Sequence, residues 1–185
     1  MKFISVKRIG MLKGKGKLIL IDMLLMIVLI FLDQITKYFA INSLMNQPPI
    51  VLVDGVFEFH YLENRGAAFG MLQDQKLFFI FIAVIILAAI CYVIVKMPYQ
   101  KMYTKLNICL IFIAGGAIGN LIDRVRYDYV VDFLYFSLIN FPVFNVADIY
   151  VTLASIFLVI LLLFVYKESE LEFLTFRTKK FRDIK

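Results

Sequence analysis

Four long apolar stretches constrain the fold of this chain more than any other feature. They run from about Leu18 to Ala40, Leu77 to Val95, Leu106 to Ile122 and Val146 to Tyr166. A helix needs about 20 residues to cross a hydrocarbon core of about 30 Å, and each stretch is close to that length. Hydrophobic residues make up 62% of the 185 residues, against about 45–50% in soluble domains. We therefore predict an integral membrane protein, mainly α, built as a four-transmembrane-helix bundle.

Basic residues indicate how the bundle is oriented. Most of the lysines and arginines lie in the two ends and in one short loop. The first end and the loop contain no acid, and their basic residues are Lys2, Lys7, Arg8, Lys13, Lys15, Lys17, Lys96, Lys101 and Lys105. By the positive-inside rule, both termini and this loop are cytoplasmic. The net charge of +6 is thus explained by membrane orientation, and we expect no nucleic-acid partner.

The same pattern divides the chain into segments. We predict one membrane domain, 1–185, with a basic cytoplasmic tail at 1–17, a helical core at 18–166 and a second cytoplasmic tail at 167–185. The loops at 41–76 and 123–146 then lie outside. Because no A-x-A-like cleavage site precedes the second stretch, we expect the first stretch to be a retained helix.

Two short motifs with the same spacing stand at the predicted outer ends of the third and fourth stretches. Asn120 and Asp123 occur in GNLIDR, and Asn145 and Asp148 occur in FNVADIY. Residues three apart share one face of a helix, so each aspartate has an amide partner on its own face. Helix capping or salt bridging explains a single N-x-x-D motif. Two such motifs at one depth point instead to a shared polar site.

A third acid lies at a similar depth on the first stretch. With a rise of about 1.5 Å per residue, Asp33, Asp123 and Asp148 each lie about 24–28 Å from the lysine at the other end of their helix. Asp33 also forms an i,i+4 pair with Lys37. Ionisable groups at this depth are costly unless they are paired or face water, and they therefore mark a functional site.

Glycines and β-prone loops lie close in sequence to these three acids. Gly115 and Gly119 have the G-x-x-x-G spacing that permits close approach of helices. The segment IVLVDGVFEFHYL alternates around Asp54-Gly55, which predicts a two-residue hairpin, and YVVDFLYF predicts another strand. Such loops can bind an extended peptide by strand addition, or they can simply pack on the bundle. The pattern leaves both open.

The polar residues favour one kind of catalysis. The chain has one histidine, His60, and two cysteines inside predicted spans, Cys91 and Cys109, so we expect no metal and no other cofactor. Two facing carboxylates can share one proton, because like charges a few ångströms apart do not both ionise cheaply. The ionised carboxylate then activates water while the protonated one donates to the carbonyl oxygen. We predict that Asp123 and Asp148 form such a hydrolytic pair.

Two other classes of protein remain open from the residues alone. An ion- or proton-coupled transporter also carries intramembrane acids, but it predicts acids spread through the membrane depth. Here the acids gather on one side, and only Asp22 lies near the other. A non-enzymatic binding or assembly subunit would not need both N-x-x-D motifs.

Four segments of the sequence resemble the signature blocks of one known family, in the order in which that family has them. The segments are DQITK at 33–37, ENRGAAFG at 63–70, GGAIGNLIDR at 115–124 and VVDFLYFSLINFPVFNVAD at 130–148. Together they resemble the lipoprotein signal peptidases, also called signal peptidase II.

This resemblance implies a location, a fold and a substrate. Family members are bacterial inner-membrane aspartic peptidases with the active site on the extracytoplasmic side, where a small β-cradle lies. They remove signal peptides from prolipoproteins by cutting before a cysteine that carries diacylglycerol. The implied partners are diacylglyceryl-modified prolipoproteins and membrane lipid, and we expect a monomer.

The resemblance also assigns roles to individual residues. Asp123 in GNLIDR and Asp148 in FNVAD match the catalytic pair. The residues that match supporting positions around the substrate and this pair are Asp33, Lys37, Asn64, Gly66, Asn120, Arg124 and Asn145.

Overall fold

The described residues fold into four α-helices, short 3₁₀-helical segments and one small sheet. The computed structural model describes the backbone of residues 2–66 and 71–175, and the side chains from residue 14 onward within those ranges. The helices are α1 (Lys2–Leu44), α2 (Lys76–Lys96), α3 (Thr104–Tyr127) and α4 (Val146–Ile160), and the last continues as a π-helical segment, Leu161–Val165. The strands are β1 (Ile50–Val53), β2 (Phe57–Asn64) and β3 (Val130–Tyr135). The end of the predicted second tail, 176–185, lies outside the described residues.

All four predicted spans are helical. By length and composition, the candidate spans are Gly14–Leu44, Lys76–Lys96, Lys101–Tyr127 and Val146–Val165. Their outer surfaces remain apolar and exposed, as expected of helices that face lipid. The prediction of a mainly helical membrane protein with a four-helix bundle is confirmed.

Helix α1 is longer than predicted. It contains 43 residues, which at about 1.5 Å per residue is about 65 Å, roughly twice the thickness of the hydrocarbon core. The basic segment that we expected to be a separate tail is therefore mostly a helical extension of α1. No proline interrupts residues 2–44, and the helix ends just before Asn46, which adopts a left-handed conformation (φ 58°), and Pro48.

Helix α3 forms the centre of the bundle and packs against the other three helices. Its glycines make this possible. A Cβ atom at Gly115 would lie 3.1 Å from the side chain of Leu29 on α1, and one at Gly119 would lie 2.4 Å from Asp33 Oδ2. On another side, a Cβ atom at Gly116 would lie 2.6 Å from the carbonyl oxygen of Ala147 on α4. The predicted close approach of helices at this glycine motif is confirmed.

The sheet is antiparallel, in the order β1-β2-β3. The hairpin between β1 and β2 pairs Val53 with Phe57, so its loop has three residues and not the two that we predicted. Gly55 in this loop has φ 65°, the left-handed conformation that closes a three-residue hairpin. The predicted strand in the second outer loop is β3.

The two faces of β3 have different neighbours. Val131 and Phe133 are buried in an apolar cluster with Ala40 and Leu44 from the end of α1. Asp132 projects from the alternate face, as the two-residue period of a strand requires. The sheet therefore covers one end of the bundle, which we call the sheet end.

Candidate active site

A cavity of about 420 Å³ lies at the sheet end. It is bounded by α3, the start of α4, β3, and the segment that joins β3 to α4. Two carboxylates, Asp132 and Asp148, line it, together with the guanidinium-bearing Arg124. The other lining residues are Asn64, Gly66, Asn120, Val130, Phe141, Pro142, Val143, Phe144, Ile149, Thr152 and Leu153.

Asp148 is held at the N-terminus of α4 by a capping box. The side-chain oxygen of Asn145 accepts a hydrogen bond from the backbone N–H of Asp148 (3.0 Å), and Asp148 Oδ2 accepts one from the backbone N–H of Asn145 (3.1 Å). Capping, the ordinary explanation for one N-x-x-D motif, therefore applies here, and the same aspartate also faces the cavity. The cap fixes the rotamer of a carboxylate that lines the cavity.

Asp132 enters the cavity from the middle of β3. Its Oδ1 atom accepts a hydrogen bond from Asn145 Nδ2 (2.6 Å), and its Oδ2 atom accepts one from Asn64 Nδ2 (2.8 Å). Asn64 ends β2, the neighbouring strand, where it pairs with Val130. The strand register thus places the amide beside the carboxylate.

Asn145 and Asn120 connect the two aspartates. Asn145 Nδ2 donates to Asp132 Oδ1 and also to Asn120 Oδ1 (3.1 Å), while Asn120 Nδ2 donates to Asp148 Oδ1 (2.8 Å). Each of the four carboxylate oxygens therefore receives one N–H donor from a fixed amide. These donors leave the other lone pairs of the oxygens free for a shared proton and a water molecule.

The environment of Asp132 favours its protonated form. Burial, and to a smaller extent the nearby charge of Asp148, raise the pKa of Asp132 to about 7. Hydrogen bonds from Asn64 and Asn145 oppose this shift because they stabilise the ionised carboxylate. A carboxyl group with a pKa near 7 can hold or release a proton at physiological pH, as a general acid or base requires.

Arg124 places a positive charge on the cavity wall and holds the loop after β2. Its guanidinium donates to the carbonyl oxygens of Gly66 (3.2 Å) and Asn120 (3.3 Å) and lies 4.7 Å from the ring centroid of Phe79. A Cβ atom at Gly66 would lie 2.5 Å from the carbonyl oxygen of Met71, so only glycine fits there.

A buried charge network lies behind the cavity. The ammonium of Lys37, which is 2% exposed, contacts Asp33 Oδ2 (2.9 Å), Asp123 Oδ2 (2.8 Å) and Asn120 Oδ1 (2.8 Å). The predicted i,i+4 pair on α1 is thus confirmed. Because Asn120 Oδ1 faces Lys37, its amide nitrogen is directed at Asp148, and the network fixes the orientation of that donor.

Asp33 and Asp123 are fully occupied by contacts within this network. Asp33 Oδ1 accepts from the backbone N–H of Ala147 (3.0 Å), which ties α1 to the start of α4. Asp123 Oδ2 also accepts from the backbone N–H of Val131 (3.1 Å), and Asp123 Oδ1 accepts from Gln34 Nε2 (2.9 Å). Both carboxylates join elements of the fold together.

The structure brings most of the predicted site residues together. Those that line the cavity are Asn64, Gly66, Asn120, Arg124 and Asp148, while Asn145 lies directly beneath it. Those that lie behind the cavity are Asp33, Lys37 and Asp123.

The geometry does not support the predicted role of Asp123 in the catalytic pair. Asp123 does not line the cavity, and Lys37, Gln34 and the N–H of Val131 occupy its oxygens. Asp132 is the residue that sequence reasoning missed. A lone acid in the apolar strand VVDFLY was the available signal.

Comparison with known proteins agrees with this architecture. A sequence model of the family described as Signal peptidase (SPase) II matches residues 25–164. The chain is 48% identical to the lipoprotein signal peptidase of Caldanaerobacter subterraneus subsp. tengcongensis over 136 residues, 73% of this chain and 90% of that protein. It is 43% identical to the lipoprotein signal peptidase of Clostridium tetani over 155 residues, 82% of this chain and 96% of that protein.

Two solved structures have the same fold. Both are bacterial membrane enzymes determined by the in meso method, at 2.3 Å and 1.9 Å resolution, and each superposes with a TM-score of 0.68. The first is 31% identical and covers 77% of this chain and 87% of its own; the second is 30% identical and covers 78% and 94%. With the family match over most of its length, the chain belongs to the signal peptidase II family of aspartic peptidases.

Proposed function

We propose that this protein removes signal peptides from bacterial prolipoproteins by activating water between Asp132 and Asp148. The scissile bond is the one before the diacylglyceryl-modified cysteine, as in the family that the sequence resembles. The observation that carries the assignment is that these two carboxylates line one cavity while fixed amides hold all four of their oxygens. In this proposal Asp132 takes the place in the pair that the sequence assigned to Asp123.

The chemistry requires one proton on the pair. Near neutral pH the two carboxyl groups share this proton, and in the reacting form it lies on Asp132 while Asp148 is ionised. Asp148 removes a proton from water as the oxygen attacks the peptide carbonyl, and Asp132 donates to the carbonyl oxygen. The proton that Asp148 has gained then passes to the leaving nitrogen as the tetrahedral intermediate collapses, and Asp132 recovers its own.

Arg124 and Asn64 support the two aspartates in this mechanism. Arg124 supplies a positive charge on the wall of the cavity, where negative charge develops on the carbonyl oxygen. Asn64 orients Asp132, and its own oxygen accepts the N–H of Gly66 (3.0 Å). The loop after β2 is therefore coupled to the reactive carboxyl group.

The walls of the cavity suit a substrate that arrives from the bilayer. Leu153 and Ile149 on α4 line the cavity and are also exposed on the outside of the bundle, as is Phe141 at its mouth. A signal helix and its acyl chains can thus approach sideways along an apolar surface. The sheet end then faces the extracytoplasmic side, as the basic residues at the other end predict.

The distribution of acids argues against a transporter. Asp33, Asp123, Asp132 and Asp148 form one connected cluster at the sheet end. A conduction path would instead place ionisable groups along the membrane depth.

The direct test is cleavage in liposomes. We expect the purified protein to cut a diacylglyceryl-modified prolipoprotein immediately before the modified cysteine, as mass spectrometry of both products would show. The matched control is the same substrate without the diacylglyceryl group, which we expect to be cut far more slowly because it lacks the acyl chains that hold it in the bilayer. Binding of the modified substrate without cleavage would contradict the proposal.

The pKa of Asp132 predicts a pH dependence. As pH rises through about 7, Asp132 loses its proton and the pair becomes doubly ionised, so kcat/KM should fall. Asn64→Ala removes a hydrogen bond that lowers this pKa, so the falling limb should move to higher pH. Asn42→Ala, at an exposed amide that bonds only to the Tyr38 carbonyl among the described residues, should leave the limb in place. A limb that stays or moves to lower pH in Asn64→Ala would refute this account.

A further inference from the structure

A second buried polar pair lies far from the active site. Asn107 Nδ2 on α3 donates to Asp22 Oδ1 on α1 (2.7 Å), and the two side chains belong to residues that are 2% and 7% exposed. Asp22 precedes Asp33 by eleven residues, which is about 16 Å along the helix. The pair therefore lies toward the end of the bundle opposite the sheet, and the proposed peptidase mechanism does not use it.

Each member of this pair has one oxygen without a hydrogen-bond partner. These atoms are Asp22 Oδ2 and Asn107 Oδ1, and both are buried. Buried polar atoms are almost always satisfied, so each of these two oxygens requires a hydrogen-bond partner. The two unpartnered oxygens belong to the two side chains that share one short hydrogen bond. One hydrogen bond between these oxygens would therefore satisfy both.

No positive charge neutralises Asp22 among the described side chains. The ion pairs found there do not include it. The residues three and four positions away on α1 are Leu18, Ile19, Leu25 and Met26, all apolar. An ionised carboxylate with one donor and no cation is costly at this depth.

The other titratable groups near this end form no hydrogen bond or ion pair with Asp22 among the described contacts. Lys15 donates to the carbonyl oxygen of Val95, and the hydroxyl of Tyr103 donates to the carbonyl oxygen of Glu170. Cys109 is buried on α3, two residues beyond Asn107. Lys101 lines the same cavity as Asn107 but forms no ion pair with Asp22 among the described contacts.

We propose that Asp22 carries a proton and that Asp22 and Asn107 close a neutral acid–amide ring between α1 and α3. In this ring Asp22 Oδ2–H donates to Asn107 Oδ1 while Asn107 Nδ2–H donates to Asp22 Oδ1. One proton satisfies both orphaned oxygens and removes the buried charge. The ring clamps the two helices at the end where no other side-chain hydrogen bond between α1 and α3 is found among the described residues.

A cavity lies beside Asn107, on one side of this pair. Asn107 lines a space of about 380 Å³ together with Gln100, Lys101 and Thr104, which belong to or adjoin the polar loop between α2 and α3. This loop lies at the end of the bundle opposite the sheet. The clamp therefore borders this cavity through Asn107, while Asp22 itself does not line it.

Two substitutions of Asp22 test the proposal. Asparagine reproduces the neutral ring, because its amide both donates to Asn107 Oδ1 and accepts from Asn107 Nδ2, whereas leucine removes both bonds. We expect Asp22→Asn to keep the melting temperature of the wild type in detergent and Asp22→Leu to lower it by several degrees. Cleavage by Asp22→Asn should be unchanged, since Asp22 lies outside the active site.

Infrared spectroscopy gives a second, independent readout. The difference spectrum between wild type and Asp22→Asn at neutral pH should contain the carbonyl band of a protonated carboxyl group, and this band should shift when aspartate is labelled with ¹³C. At alkaline pH the band should vanish, and the wild type should melt below Asp22→Asn. If Asp22→Asn melts as low as Asp22→Leu, or if the protonated-carboxyl band is absent, Asp22 is ionised and the proposal is overturned.

Discussion

Asp132→Asn and Asp148→Asn are each expected to lower kcat for cleavage of a lipidated prolipoprotein by at least about 10²–10⁴-fold, the usual contribution of general acid–base catalysis. An amide cannot share the proton of the pair, and it cannot take a proton from water. Substrate binding should persist, because neither change removes the apolar wall of the cavity. Single-turnover cleavage and a separate binding measurement distinguish these two effects.

The double variant sharpens this prediction. Because the two aspartates act as one unit, Asp132→Asn combined with Asp148→Asn should be little slower than either single variant. Asp54→Asn, at an exposed aspartate in the β-hairpin loop, is the matched control and should cleave like the wild type. Independent, multiplying losses in the double variant would show that the two carboxylates do not work together.

Lys37→Met is expected to destabilise the folded protein by about 3–5 kcal/mol, the usual cost of removing one partner from a buried ion pair. Lys37 is 2% exposed and contacts two carboxylates, those of Asp33 and Asp123, which are themselves buried. Without the ammonium, two negative charges remain in a site that water does not reach. Thermal unfolding in detergent, followed by circular dichroism, measures the loss.

An exposed ion pair provides the control for this effect. Lys76 pairs with Asp128 near the surface, between the start of α2 and the end of α3. Exposed pairs contribute little to stability, so Lys76→Met should melt close to the wild type. If Lys37→Met melted as high as Lys76→Met, the buried network would not be a source of stability.

The sequence predicted the helices well because their signal is local. A run of apolar residues long enough to cross the membrane is enough to predict a helix. The helices found for the second and fourth stretches begin within one residue of the predicted starts. The length of α1 was not predictable from hydropathy, because helix continues beyond the apolar run into a basic segment. The hairpin was predicted from Asp54-Gly55, but its loop length depends on the pairing register with β2.

The site shows where sequence reasoning reaches its limit. The repeated N-x-x-D spacing predicted one amide partner for each aspartate. This holds for Asn145 and Asp148, whereas Asn120 donates to Asp148 and not to Asp123 among the described contacts. The spacing also made Asp123 look equivalent to Asp148, although only one of the two opens a helix. Asp123 is in the body of α3, where its direction depends on what packs against that helix, and Lys37 of α1 lies there.

The lone acid in VVDFLY did not by itself indicate that Asp132 lines the cavity. Its role depends on which face of β3 meets the cavity, and this is set by the packing of Val131 and Phe133 against α1. The contact between Asn64 and Asp132 joins residues 68 positions apart. Spacing within one segment of the sequence cannot reveal such a contact.

The most direct test of the catalytic assignment compares Asp123→Asn with Asp132→Asn in the same cleavage assay, with rates expressed per folded molecule. At position 123, asparagine can keep its side-chain oxygen toward Lys37. If the Gln34 amide rotates, the Gln34 oxygen can accept a hydrogen bond from the new side-chain nitrogen. Cleavage should therefore persist, although the melting temperature falls. At position 132, cleavage should be lost while the protein stays folded. If folded Asp123→Asn is inactive and Asp132→Asn still cleaves, the pair is Asp123 and Asp148, and our account of the cavity is wrong.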